Sequence, residues 1–298
     1  MKRGFLIGAG LIVVGLVLQA LAGPFHWEWL AFPVNLTVLL VFLGLLVAAY
    51  LLRRKLSFFS WMMTLDAAVP AVIYALALTL LMGFTAQRED GSGIPWISQM
   101  LDFWPFVLSY AWLMAILGLT TVKHLLQFNV REIPFLLNHL GLFLALVCGA
   151  LGAPDTQSLH MTTREGETTS QATDEAGVVH ELDLSVELHD FIMEEYPLQP
   201  GAKRRMPKRF ASDVTVRTKN GAVIPAVIEV NKPLQAGGWK MYQYDYDEEK
   251  GTESEISVLE LVREPWQPFV RTGILMMLAG ALCLFFFMAP RPKKEEQL

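Results

Sequence analysis

The protein has 298 residues, of which 53% are apolar and only 18% are charged, and its formal net charge is −5. Soluble globular domains usually carry about 25% charged residues, and the apolar residues here form blocks long enough to cross a bilayer. This composition excludes a soluble enzyme, a disordered tail and a fibrous protein, and it predicts an integral membrane protein.

Six apolar stretches reach or approach the roughly 20 residues that a helix needs to cross the hydrocarbon core. They cover residues 4–22, 33–52, 67–85, 105–122, 134–152 and 268–289. Five of them begin with a proline, at positions 33, 70, 105, 134 and 268. Proline suits the first turn of a helix because its missing N–H would have no partner there.

The first stretch allows two interpretations. Its Lys2-Arg3 start, its apolar run and its Ala20-Leu21-Ala22 ending resemble a secretory signal with a cleavage site. The apolar run is longer than a usual signal core, which favours a retained membrane span. Removing it would leave the direction of the other five spans unchanged.

Small residues recur in the first and last stretches. Gly4 and Gly8 are one helical turn apart, and Gly273 and Gly280 are two turns apart. Small residues let helices approach closely in lipid. They predict either packing within this chain's own bundle or a docking face for a partner.

The short connecting loops differ in charge, which predicts the orientation of the spans. Basic residues lie at Lys2, Arg3, Arg53, Arg54, Lys55, Lys123, Arg131, Arg291, Lys293 and Lys294. Residues 23–32 contain no Lys or Arg, and residues 86–104 contain only Arg88. Short cytoplasmic loops are enriched in Lys and Arg. Both termini are therefore expected to be cytoplasmic, with residues 153–267 outside.

This long outer segment is expected to fold as a separate domain. We therefore divide the chain into a five-span bundle at 1–153, an extracytoplasmic domain at 154–266, and a sixth span with a cytoplasmic tail at 267–298. The segment 152–268 holds 12 basic and 21 acidic side chains. Nucleic-acid-binding surfaces present a concentrated positive field instead, so this balance argues against a nucleic-acid partner.

The outer domain shows β-type patterning after its first third. Residues 162–177 are rich in Thr, Glu, Ser and Gly and predict a mobile loop. Residues 182–188 then alternate between apolar and polar, as in a strand with one buried face. Asn220-Gly221 predicts a tight hairpin turn before a return strand at 222–230, and residues 239–244 and 256–261 are further strands. We expect an antiparallel β domain, either a sandwich or an open barrel.

Both cysteines, Cys148 and Cys283, fall inside predicted spans. The outer domain has no cysteine, so it has neither a disulfide nor a thiol for redox exchange. Any thiol chemistry on that side of the membrane must belong to another protein.

Two histidines are candidate ligands for haem iron. His139 lies inside a predicted span, where an ionisable side chain is costly and usually has a specific partner. Neutral imidazole is a good ligand for haem iron, but a lone histidine there could instead bond to a neighbouring helix. His124 lies at the cytoplasmic end of the preceding span, where the pair could bracket one iron or His124 could lie in the headgroup zone.

Several short motifs follow one another in the outer domain. Val230-Asn231-Lys232-Pro233-Leu234 is followed by Gly238-Trp239-Lys240-Met241-Tyr242-Gln243 and by Tyr246-Asp247. These motifs resemble the ResB (CcsB) family of cytochrome c biogenesis proteins. Phe210-Ala211-Ser212-Asp213-Val214 resembles the family's preceding strand, and Asn138-His139-Leu140-Gly141-Leu142 its histidine-bearing span. The resemblance covers about residues 134–289. Five predicted spans before the outer domain exceed the common form of the family.

The resemblance implies a haem-handling role in a bacterial cytoplasmic (inner) membrane. It implies a CcsA-type partner whose tryptophan-rich outer segment holds haem, an apocytochrome c as the recipient, and His139 as the haem ligand within the span. Because this sequence has no tryptophan-rich haem segment, it resembles the unfused, non-catalytic subunit of a holocytochrome c synthase complex. The alternatives are a membrane-anchored assembly or chaperone module that never binds haem, and a solute transporter.

Overall fold

The computed structural model describes residues 1–88, 93–198 and 205–287. These residues divide into two compact units. One unit combines Met1–Asp155 with the described residues that follow Pro265, and it is helical; the other, Thr156–Pro265, is built of β-strands.

Seven α-helices occur among the described residues. They are α1 (Lys2–Ala22), α2 (Val34–Leu52), α3 (Ser57–Met62), α4 (Leu65–Phe84), α5 (Trp104–Leu126), α6 (Ile133–Gly152) and α7 (Gln267–Phe287). All except α3 are long and apolar enough to cross a membrane. The six apolar stretches are therefore confirmed as helices, which supports a multi-pass membrane protein. The predicted end of the last span, at residue 289, lies outside the described residues.

Proline marks the start of four of these helices but not of α4. Pro105 and Pro134 occupy the first turns of α5 and α6, and Pro33 and Pro268 adjoin the starts of α2 and α7. Pro70 is instead inside α4, which already begins at Leu65. The prediction that Pro70 begins a helix is wrong, because the helix extends toward its N-terminus beyond the apolar stretch, through the polar residue Asp66.

Helix α5 is the centre of the helical unit. Half of it is buried inside the protein, whereas no other span exceeds 33%, and it packs against α1, α2, α4 and α6. Gly118 permits the approach on one side, since a Cβ there would lie 2.5 Å from Leu46 of α2 and 2.7 Å from Phe143 of α6.

The glycines of α1 and α7 pack within the bundle. A Cβ on Gly4 would lie 2.6 Å from the backbone oxygen of Asp66, and one on Gly8 would overlap the ring of Tyr74. The corresponding close contact of Gly273 is with the backbone oxygen of Gly141. Of the two interpretations of these small residues, packing within the chain's own bundle is the one that these contacts support.

The eight strands found among the described residues form one antiparallel sheet. They are β1 (Gln157–Arg164), β2 (Thr168–Thr173), β3 (Val179–Glu195), β4 (Pro207–Thr218), β5 (Val223–Glu229), β6 (Leu234–Ala236), β7 (Trp239–Tyr246) and β8 (Ile256–Arg263). Their order across the sheet is β5-β4-β3-β2-β1-β8-β7-β6. The predicted hairpin is confirmed, because β4 pairs with β5 around Asn220-Gly221 and Gly221 has a φ of 80°.

The two edge strands of the sheet are consecutive in the chain. Only residues 230–233 separate β5 from β6, and Glu229 and Lys232 exchange two backbone hydrogen bonds of 3.3 Å across this connection. The edges must therefore lie close together, so the sheet curves as an open barrel. The Asn231-Lys232-Pro233 motif forms the connection between the edges. The barrel encloses one apolar core that includes Val186, Ile228 and Met241.

The prediction of a mobile loop at 162–177 is wrong, because most of this segment lies in β1 and β2. β1 pairs with β8 along its whole length, from Gln157–Arg263 to Arg164–Ile256. Threonine favours strands because its branched side chain fits the pleated surface. The polar composition here reflects an outward face rather than a loop.

A buried polar cluster joins three strands inside the barrel. Gln243 accepts hydrogen bonds through Oε1 from Ser212 and from Ser257 (3.0 Å), and the two serine hydroxyls are 2.7 Å apart. Gln243 also donates through Nε2 to the backbone oxygen of Asp245 at 2.9 Å. The Tyr-Gln element of the family-like motif thus satisfies hydroxyl groups that the barrel buries.

Gln243→Leu is expected to destabilise the β unit, because it removes the acceptor of two buried hydroxyl groups. The loss is about 2 kcal/mol, measurable in the full chain as faster hydrogen exchange of the amides of β7 and β8. Gln235→Leu, on an exposed position of β6, is the matched control and is expected to leave exchange unchanged. Equal exchange in both variants would contradict a stabilising role for the cluster.

Candidate functional site

His139 lies on α6, one turn after Phe135. Its Nδ1 is 3.0 Å from the backbone oxygen of Phe135. A carbonyl oxygen only accepts hydrogen bonds, so Nδ1 carries the proton and donates it. The lone pair of the neutral ring is then on Nε2, which is the tautomer that can bind a metal.

The phenyl ring of Phe135 contacts both candidate histidines. Its centroid is 3.7 Å from that of His139, with the rings 21° apart, and 4.3 Å from that of His124, with the rings 44° apart. Because the ring of Phe135 packs against both imidazoles, the space between the two histidines is filled by this ring and is not free for a metal ion. This arrangement favours His139 as a single ligand from this chain over a bracketing pair.

His124 is oriented by a carboxylate. Its Nδ1 is 2.9 Å from Glu132, which precedes α6. A carboxylate likewise accepts, so Nδ1 donates and Nε2 is again left with the lone pair in the neutral ring. The Glu132–His124 contact fixes the imidazole that packs on Phe135, and so supports His139 through that ring.

Helix α7 fixes the position of α6 beside His139. A Cβ on Gly141 would lie 2.5 Å from the backbone oxygen of Gly273, so the two backbones are in direct contact. One turn before Gly141 lie Asn138 and Leu137, and a Cβ on Gly280 would lie 2.5 Å from Nδ2 of Asn138. The helix that carries His139 is thus held along its length by a second helix.

The face of α6 that carries His139 is only partly covered by the described helices. Leu142 and Gly149, three and ten residues after His139, lie about 60–80° to one side of it around the helix. Leu142 is 38% exposed, and a Cβ on Gly149 would meet no atom within 4 Å. His139 itself is half-buried, and Phe143, on its other side, is buried. The side of this face that carries Leu142 and Gly149 is therefore open to lipid or to another helix.

The described residues contain no group of three or more His, Cys, Asp or Glu side chains that could hold a metal ion. Haem differs from a free metal ion in this respect, because its iron is held by axial protein ligands, often one histidine. The residues present near His139 fit that need.

A carboxylate that the sequence analysis missed joins three parts of the helical unit. Asp155, just beyond α6, accepts hydrogen bonds from the backbone N–H of Phe32 (2.8 Å), from Nδ2 of Asn35 (2.7 Å) and from Nε1 of Trp266 (2.7 Å). It thereby links the starts of α2 and α7 to the end of α6. An Asp that directly follows an apolar stretch was the available signal, but its partners are distant in sequence.

Residues 203–209 contain five cations, Lys203, Arg204, Arg205, Lys208 and Arg209, and run into the start of β4. Lys208 and Arg209 pair with Glu194 at 2.9 and 3.0 Å, and Arg209 also pairs with Glu229 at 2.9 Å. Hydrogen bonds from Lys208 and Arg209 lower the pKa of Glu194. Lys203 and Arg204 of this segment lie outside the described residues. The paired cations stabilise neighbouring strands.

Comparison with known proteins supports the resemblance seen in the sequence. The model of the ResB-like family matches residues 129–254, which include His139 and the β unit up to the residues before β8. The resemblance to ResB is thus confirmed over this part of the chain. A search of the curated proteins found no match.

Among solved structures, one similar chain is "Cytochrome c Heme Lyase CcmF". The match has 16% sequence identity and a TM-score of 0.34, and it covers 72% of this chain. This chain covers 34% of that structure's length, about a third.

Proposed function

We propose that this protein is a non-catalytic subunit of a machinery that moves haem across the membrane and attaches it to apocytochrome c. The observation that carries the proposal is His139, whose Nδ1–H is bound to the backbone oxygen of Phe135. That bond leaves the lone pair on Nε2, through which His139 would hold haem iron. The match of residues 129–254 to the ResB-like family supports the same role.

The residues around His139 suit a large apolar group. Haem carries an apolar ring with two anionic propionates, so its passage needs an apolar surface between helices and an axial ligand. Leu142 and the open position at Gly149 offer apolar surface on the side of α6 next to His139. When bound, haem would supply the iron, while Phe135 would hold the imidazole in its orientation.

A partner would supply the further protein ligand to the iron. Phe135 contacts both His139 and His124, so His124 is not placed to hold the same iron together with His139. A CcsA-type membrane protein, docked on the open side of α6 at Leu142 and Gly149, would supply that ligand. His124 then acts as a positioning residue through Phe135, and as a haem contact only if that ring moves.

The membrane orientation is part of the proposal. The described ends of α1, α2 and α5 on one side of the helical unit carry Lys2, Arg3, Arg53, Arg54 and Lys123. By the positive-inside rule that side faces the cytoplasm of a bacterial inner membrane, and the β unit is extracytoplasmic. The basic residues Arg291, Lys293 and Lys294 used in the sequence prediction lie outside the described residues.

His139→Ala is the direct test. The full chain is co-purified with a CcsA-type partner, and the Soret absorption per complex is measured. We expect the variant to lose the Soret band, because the iron loses its ligand from this chain, and imidazole added to the buffer to restore part of it. His124→Ala is expected to reduce the band by less, since it removes only the support of Phe135.

The controls separate ligation from folding. His180→Ala removes an exposed imidazole of the β unit and is expected to leave the Soret band unchanged. An unchanged band in His139→Ala would remove His139 from the haem pathway. A wild-type complex purified without haem would favour the alternative of an assembly module, and substrate flux by this chain alone in liposomes would favour a transporter.

A further inference from the structure

A second surface, unrelated to His139, lies where α1, α2 and α3 meet. Its five cationic side chains, here called the basic surface, are Lys2, Arg3, Arg53, Arg54 and Lys55. Two of them begin α1, and three lie between the end of α2 and the start of α3. In the sequence these residues predict only the orientation of the spans, and no apolar stretch predicts α3.

Helix α3 holds the two parts of the basic surface together. The guanidinium carbon of Arg3 lies 4.8 Å from the ring centroid of Trp61 and 5.4 Å from that of Phe58. On the other side, the hydroxyl of Ser60 donates to the backbone oxygen of Arg53 at 2.9 Å. The start of α1 and the end of α2 are thus both in contact with α3.

The positive charge of this surface is largely unbalanced. Across residues 1–88, 93–198 and 205–287, none of the five cations forms an ion pair with a carboxylate within 4.0 Å. Arg53 donates to the backbone oxygen of Tyr50 and lies over its ring at 3.6 Å. A π face and a carbonyl attract a cation without removing its charge. Asp66 is the acidic residue beside the start of α1, and it pairs with the amino group of Met1.

Apolar side chains lie next to these charges. Leu56 is 49% exposed, Phe58 is 39% exposed and Leu65 is 78% exposed. Cations beside exposed Leu and Phe are typical of a helix that lies in the membrane interface. Clusters of Lys and Arg beside the end of a membrane span attract anionic lipids, and arginine binds phosphate oxygens in a forked geometry.

We propose that the basic surface binds the phosphate headgroup of an anionic phospholipid, with the acyl chains against the exposed side chains of Leu56, Phe58 and Leu65. Arg54 and Lys55 are exposed and contact the phosphate directly, while Arg3 is held over Trp61 and Phe58. The occupant is a lipid of the surrounding bilayer. Free phosphate has no acyl chains, so the apolar contacts with Leu56, Phe58 and Leu65 would not contribute to its binding.

The test measures lipid binding to the delipidated full chain in a neutral detergent by native mass spectrometry. Phosphatidylglycerol and phosphatidylcholine with the same acyl chains are added in turn. We expect phosphatidylglycerol to bind at least about tenfold more tightly, because each cation near the headgroup adds to the attraction for its negative charge. Inorganic phosphate at millimolar concentration is expected not to displace the lipid; displacement would overturn the proposed contribution of the acyl chains.

The matched variants remove two cations each from the same side of the helical unit. Arg54→Gln with Lys55→Gln is expected to weaken phosphatidylglycerol binding about tenfold or more, whereas Lys123→Gln with Arg131→Gln leaves it within about twofold. Equal losses in the two double variants, or equal binding of the two lipids, would overturn a localised site. If the first double variant unfolds, Arg3→Lys, which keeps the charge, is measured in its place. A retained preference for phosphatidylglycerol over phosphatidylcholine supports the proposal, and loss of that preference contradicts it.

Discussion

Replacing Asp155 with alanine is expected to lower the thermal stability of the full chain in detergent strongly. The carboxylate accepts hydrogen bonds from Phe32, Asn35 and Trp266, which belong to three separate parts of the helical unit. Asn35 is fully buried, so one of its donors loses a partner that water cannot easily replace. The expected cost is about 3 kcal/mol, measured as the shift in the unfolding transition.

Two further variants separate the hydrogen bonds from the charge. Asp155→Asn keeps one acceptor oxygen, so we expect an intermediate loss of stability. Glu28→Ala removes an exposed carboxylate from the short helix Trp27–Leu30, and it is expected to leave the transition unchanged. If Asp155→Ala unfolds at the same temperature as Glu28→Ala, the three hydrogen bonds do not stabilise the junction.

The membrane spans could be predicted because their signal is local. Each span needs about 20 consecutive apolar residues to satisfy its environment, and this requirement is visible in the sequence without any knowledge of neighbours. The hairpin at Asn220-Gly221 was predictable for a similar reason, since the turn depends on two adjacent residues that adopt positive φ readily. The start of α4 was predicted wrongly. Proline is favoured in the first turn of a helix, but Pro70 lies in the second turn of α4, which begins at Leu65.

The missed elements depend on partners that are distant in sequence. β1 is a strand because β8, about 100 residues later, pairs with it along its whole length. The six residues of α3 are too few to be stable as an isolated helix, and their contacts with Arg3 and Arg53 position them instead. The three partners of Asp155 were unpredictable for the same reason.

The candidate site was predicted only in part. An imidazole inside an apolar span made His139 conspicuous, because an ionisable side chain there is costly. The sequence did not reveal that Phe135, one turn earlier, contacts both His139 and His124. Phe135 looked like one more apolar residue of the span, and only its neighbours in space give it a role in orienting the ligand.

Gly141→Val is expected to separate α6 from α7. A Cβ at position 141 would lie 2.5 Å from the backbone oxygen of Gly273 and 3.0 Å from Met276. A backbone atom cannot rotate away as the end of a side chain can, so the helices must move apart. Close packing is a main source of association between helices in lipid, and we expect a destabilisation of about 3 kcal/mol, seen as a lower unfolding temperature.

Gly149→Val is the matched control for packing, because it makes the same change on the same helix where no atom lies within 4 Å of the added Cβ. We expect its unfolding temperature to match the wild type. Gly141→Val also shifts α6 two residues from His139, so its complex with a CcsA-type partner is expected to lose the Soret band together with stability. A Gly141→Val protein of normal stability would show that α7 does not position α6. A protein that is destabilised but keeps its haem would show that the binding of haem by His139 does not depend on the contact between Gly141 and Gly273.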